Sequence, residues 1–159
     1  MSIFAKSTPA LEPRTANSVS ISILYAVILV SFAVTQLFTF EAFLVYMLSL
    51  NLPFSENINY AFAPLLIVAE VFALPFLLRM RLSWAFRYFS LGLGCVAAVL
   101  WLFLSSWIVL AGAPVDSVGF FGTLVSLTPG WWAIFISLSL VVLAAWSAWG
   151  LWPSKRRAK

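Results

Sequence analysis

The chain has 159 residues, of which 64% are hydrophobic, 17% aromatic and only 9% charged. A soluble domain carries roughly a quarter charged residues, and nine Lys and Arg, five Asp and Glu and no His cannot wet such a surface. A water-soluble globule, a disordered chain and a basic nucleic-acid binder are excluded, which leaves a protein whose solvent is mostly lipid.

Residues 1–20 are polar, with Lys6, Pro9, Glu12, Pro13 and Arg14, and read as a short tail on the water side of a membrane. Ile21 to Phe40 is uncharged and matches the ~20 residues that cross a bilayer. It is longer than the apolar core of a cleavable signal peptide, so it is read as a retained helix. Glu41 to Tyr60 sets Phe43, Met47 and Leu50 on one helical face before Pro53, which suits a short interfacial helix continuing or kinking from the first span. A second span covers 61–78, with Pro64 and Pro75 inside it and Glu70 as its one charge. A third covers 88–111 and a fourth 131–151, both uncharged. Between these two, Pro114 to Gly130 is apolar but short; it either dips into the outer leaflet or packs over the mouth of the bundle. The fold expected is all-α: a polytopic membrane protein with a four-transmembrane-helix bundle over 21–152 and a basic tail over 153–159.

The charges choose the sides. Lys6 and Arg14 precede the first span, Arg79, Arg81 and Arg87 lie between the second and third, and Lys155, Arg156, Arg157 and Lys159 follow the fourth. All of these fall on one face, whereas Glu41, Glu56 and Asp116 fall on the other. Basic residues stay inside, so both termini are placed in the cytoplasm and the chain in the cell (inner) membrane. Trp84, Trp149 and Trp152 mark the inner boundary, and Trp107, Trp131 and Trp132 the outer one, as interfacial belts do. The tail SKRRAK is a topogenic signal first and a contact for anionic headgroups second.

Missing residues narrow the chemistry. Without His there are no usual axial ligands for b-type haem, no common Zn or Cu ligand and no His base. The single cysteine, Cys95, cannot close a disulfide within the chain and is read as a small packing residue. There is no glycine-rich phosphate loop, no GxSxG and no HExxH. No catalytic residue or metal site is assigned; the cofactor candidates are a bound lipid or quinone.

Helices in lipid gain little from burying apolar surface against each other, so small residues that admit close backbone approach mark the contacts. Ser90, Gly94 and Ala98 make such a seam on the third span. Ser137, Ala144, Ala148 and the nearby Ala145 make one on the fourth. These faces are expected to meet the other helices of the bundle, the alternative being a partner subunit.

Glu70 lies deep in the second span, where a charge costs at least ~2.5–3.5 kcal/mol, so it must face the interior, pair or stay protonated. Counted inward from the outer ends of their spans, Ser31, Trp101 and Ser139 fall at the same depth as Glu70. Thr35, Gln36, Ser105 and Ser106 fall about one turn further out. All four helices can therefore contribute to one polar layer. Two readings of Glu70 stand side by side: it lines a polar pocket open to the outside, or it hydrogen-bonds Trp101 or a serine and sets helix register.

The order of parts carries a resemblance. A first span ending in a polar residue is followed by FEAFLVYMLSLNLP, a second span with a mid-helix acid (APLLIVAEVFALPFLL), a basic turn (RMRLSWAFR) and a third span bearing glycines (FSLGLGCVAAVL). From about Phe32 to Trp152 this resembles the DoxX/MauE-like family of four-helix bacterial membrane proteins. Glu70 matches the acid in that family's second helix, and Gln36 stands near where the family often has a basic residue. The resemblance implies a redox-associated accessory role, either beside a partner oxidoreductase or as the membrane subunit of a quinone-linked enzyme. The function expected is a small accessory or structural subunit of a larger membrane complex, in contact with lipid and other integral-membrane subunits. The alternative is a quinone- or small-solute-binding protein using the layer around Glu70. A homo-oligomeric channel or transporter has less to build on, since four short helices with one carboxylate show no inverted repeat.

Overall fold

A computed structural model of the chain describes residues 12–112, 115 and 117–152. Lys6, Asp116 and the basic tail from Lys155 to Lys159, all used above to orient the chain, lie outside the described residues, as do Pro114 and most of the 1–20 tail.

The protein is all-helical, with α1 (Ala16–Phe38), α2 (Phe40–Ser49), α3 (Glu56–Leu77), α4 (Trp84–Ala111) and α5 (Trp131–Gly150). Four of these, α1, α3, α4 and α5, are long and apolar enough to cross a membrane, which makes the chain a multi-pass membrane protein. The helices overrun the apolar runs at their starts. α1 begins inside the expected tail, where Thr15 caps it by accepting from Ser18 N at 3.3 Å. α4 begins before residue 88, where Ser83 accepts from Phe86 N at 3.3 Å. At α1 and α4 a side-chain cap marks the start of the helix.

The spanning helices close into a ring in which α3 packs on α1 and α4, and α5 on α4 and α1. Arg14 N donates to Gly150 O at 3.0 Å, so the start of α1 and the end of α5 share one end of the bundle with the α3–α4 turn. Every described arginine (Arg14, Arg79, Arg81 and Arg87) is at this basic end. The far end carries α2 and the 117–130 segment.

The small-residue seams face into the ring. Ser90, Gly94 and Ala98 are all buried, and a Cβ on Gly94 would stand 3.4 Å from that of Ala73. Tyr25 reaches across from α1 to donate to Gly94 O at 2.7 Å. On α5, Ser137 and Ala144 are buried, Ala148 is half-buried and Ala145 faces outward. Gly150 lets α1 approach so closely that a Cβ there would land on Ser18.

Ser90 does more than leave room. Pro75 has no N–H and its ring crowds the preceding turn, which interrupts the hydrogen-bond ladder of α3. Phe76 N donates to Ser90 Oγ at 3.1 Å, and the same hydroxyl donates to Phe72 O. One serine of α4 thus serves both a donor and an acceptor of the α3 backbone beside the break, the kind of support that a helix without water requires.

At the far end, Thr39 leaves helical geometry between α1 and α2, and the chain kinks there. The apolar face of α2 turns inward, with Phe43, Met47 and Leu50 buried against the bundle. The amphipathic pattern was expected to lie in the membrane interface; its apolar side is spent on the protein. The 117–130 segment packs over the bundle mouth, the second of the two placements open to it, burying Val118 and Phe120.

Candidate functional site

The buried carboxyl of Glu70 is the centre of the polar interior. α3 aims it between α1 and α4, and the residue is 0% exposed. Trp101 Nε1 donates to Glu70 Oε1 at 2.7 Å, and Gln36 Nε2 reaches the same oxygen at 3.4 Å. The Gln36 amide also donates to Phe120 O at 3.3 Å. Both neighbours of this nitrogen are acceptors, so the amide has one workable orientation; a flip would set oxygen against two oxygens. Two acceptors are left over by this arrangement, Gln36 Oε1 and Glu70 Oε2, each buried and without a hydrogen-bond partner among the described residues. Two acceptors cannot satisfy each other without a proton between them or a small donor molecule.

An aromatic lid covers the cluster on its far side. The Phe120 ring lies 4.7 Å from that of Trp101 and 5.4 Å from that of Phe32, measured between centroids. Phe121 meets Phe32 edge-on at 5.2 Å. The 117–130 segment that carries these rings is pinned from outside. Tyr46 OH donates to Ser117 O at 2.8 Å, and Thr123 N donates to Thr39 Oγ1 at 3.3 Å. Gly119 and Gly122 turn the chain with positive φ, and Gly119 is pressed against the Tyr46 ring. Burial pushes the Tyr46 phenol above its ordinary value.

Of the residues expected to form one polar layer, Glu70, Gln36 and Trp101 do come together. Ser31 and Ser139 do not. Ser31 donates to Val27 O at 2.9 Å and Ser139, exposed on α5, to Phe135 O at 2.8 Å. Depth along a span says nothing about direction around it, and a serine that bonds the preceding turn of its own helix can face lipid. Ser105 is buried but pairs with Ser137 at 2.7 Å, a separate tie between α4 and α5. Thr35 likewise bonds its own helix, at Ser31 O and Phe32 O. The layer is therefore a three-residue cluster on α1, α3 and α4 plus a neighbouring serine pair. Sequence reasoning missed the Phe120 carbonyl; its signal was a paired phenylalanine set between glycines in a loop too apolar for water.

Comparison with known proteins brought no match: no family model, no curated protein and no solved structure corresponds to the chain.

Proposed function

We propose that this protein is a non-catalytic accessory or structural subunit of a larger membrane complex. The observation that supports this best is the closure of its polar interior. Glu70, Gln36, Trp101 and Phe120 are at most 1% exposed, and their hydrogen bonds run between helices and to the covering loop. A cluster spent in this way sets register and holds four segments together, and the outward faces are left for association. α5 turns Phe135, Leu138, Val142 and Trp146 outward, an apolar surface on which lipid or a companion helix can pack. The seat proposed is a bacterial inner membrane with both termini in the cytoplasm, because the basic residues gather at one end. A redox-associated complex is the setting that the DoxX/MauE-like order of parts implies.

A second reading, a quinone- or small-solute-binding protein, is favoured by one observation. Gln36 Oε1 and Glu70 Oε2 are buried acceptors without a donor among the described residues, beneath the 117–130 loop. Purification in mild detergent with mass spectrometry separates the two. A stoichiometric companion protein is the expected result. A lone chain that co-purifies with a quinone or polar solute, and loses it on Glu70→Gln, would replace the first reading with the second.

A further inference from the structure

The basic end is more than a topological marker. The bond from Arg14 N to Gly150 O fastens the entry of α1 to the exit of α5. It also sets the Arg14 guanidinium over the Trp149 ring, with Cζ 5.3 Å from the centroid. A guanidinium held over an indole is attracted by the ring's negative face and has five N–H donors, more than the ring can occupy, with which to meet a phosphate. The aromatic rim continues from there. Trp152 meets Tyr88 at 5.9 Å, and Tyr88 meets Trp84 at 5.0 Å, both edge-on. Trp84 opens α4 a few residues after the exposed Arg81. Trp84, Trp149 and Trp152 are 48%, 51% and 43% exposed at the end of the bundle where tryptophans at headgroup level belong. Glu12 is the one carboxylate at this end among the described residues; Glu41 is at the other.

We infer that this crescent, from Arg14 through Trp149, Trp152, Tyr88 and Trp84 to Arg81, binds the headgroup of an anionic phospholipid. The occupant follows from charge and depth together: a cationic rim on an apolar collar fits an amphiphile whose phosphate lies at the interface. The guanidinium edges take the phosphodiester, and the indoles sit beside the glycerol ester region. The site lies on α1, α4 and α5, does not need the SKRRAK tail, and stands apart from the role proposed above.

The test uses the full chain in detergent, offered equal amounts of phosphatidylglycerol and phosphatidylcholine, with retained lipid read by native mass spectrometry. Phosphatidylglycerol is expected to be retained preferentially. Arg14→Gln and Arg81→Gln each lower the retention ratio about fivefold, the scale of one basic residue at an anionic surface. The double substitution brings the ratio close to parity. Arg14→Lys keeps the charge but not the planar stack and falls between, while removal of residues 153–159 leaves most of the preference. A double variant with unchanged preference overturns the inference. So does loss of the preference on removing the tail alone.

Discussion

Trp101 Nε1 donates to Glu70 Oε1 at 2.7 Å, which ties α4 to α3 at the one carboxyl buried in the bundle. Gln36 adds α1 at the same oxygen, and through Phe120 O the covering loop as well. Four segments distant in sequence thus meet through two side chains' donors, and changes at this point test the role of the cluster.

Glu70→Leu strands the Trp101 indole N–H and one Gln36 donor in the core, and is expected to cost about 2–4 kcal/mol of stability in detergent. Glu70→Gln keeps an acceptor for Trp101 and turns the leftover Oε2 into a donor, which leaves Gln36 Oε1 as the one unmatched acceptor, so it should cost under about 1 kcal/mol. Trp101→Phe keeps a ring against Phe32 and Phe120 and loses one bond, at about 1–2 kcal/mol. Thermal unfolding of the purified chain reads all three. A Glu70→Gln variant as unstable as Glu70→Leu would mean that the cluster needs the charge itself.

Ser90 and Pro75 form a matched pair. Ser90→Ala removes the bonds to Phe76 N and Phe72 O from a dry interior, a loss of about 1–3 kcal/mol. In a Pro75→Ala background α3 regains the N–H at position 75 and needs less support there, so Ser90→Ala should then cost under about 1 kcal/mol. Equal costs in the two backgrounds would show that Ser90 acts as a small residue only.

The contact of α1 with α5 depends on the missing side chain of Gly150. Gly150→Ala drives a methyl into Ser18, whose hydroxyl is bonded to that of Thr15 at 2.7 Å and cannot swing clear without losing that bond. The expected loss is about 1–3 kcal/mol. Ser18→Gly in the same chain should recover most of it, which a double-mutant cycle measures directly.

Tyr46 fastens the covering loop through Ser117 O, and its neutral phenol is the donor. Burial raises the folded phenol above the unfolded value near 10. The folded form therefore holds its proton longer than the unfolded form, so the contribution is whole below about pH 10 and shrinks as pH climbs beyond it. Tyr46→Phe should cost about 1 kcal/mol at neutral pH. The gap between the two proteins, followed by thermal unfolding, should be constant up to about pH 10 and narrow above it. A gap that narrows between pH 7 and 9 would contradict the assignment.

Much of this was legible from residue types alone, and what was not has a common cause. The spans, the basic end and the placing of Glu70 and Trp101 at one depth follow from hydropathy and charge; that Glu70 takes Trp101 rather than a serine does not. Ser31 and Ser139 share that depth yet face outward, because depth leaves the rotation of each helix free. Ser90 was recognisable as small; that it supports α3 beside the break at Pro75 depends on the register between α3 and α4. The apolar face of α2 was visible, but a periodic pattern does not say whether lipid or protein covers it.

Composition and the order of apolar runs determined by themselves that this chain is a multi-pass membrane protein with four apolar helices and that its described arginines share one end. Those properties follow from transfer free energies, which sum along a chain without regard to what touches what. Tertiary structure decided which polar groups meet, that a loop carbonyl completes the Glu70 cluster, and that two acceptors remain there. It also decided that Arg14 rests on Trp149 beside a row of half-exposed rings. Hydrogen bonds and ring contacts act over about 3–6 Å and depend on direction, so they exist only once helix rotation and register are set.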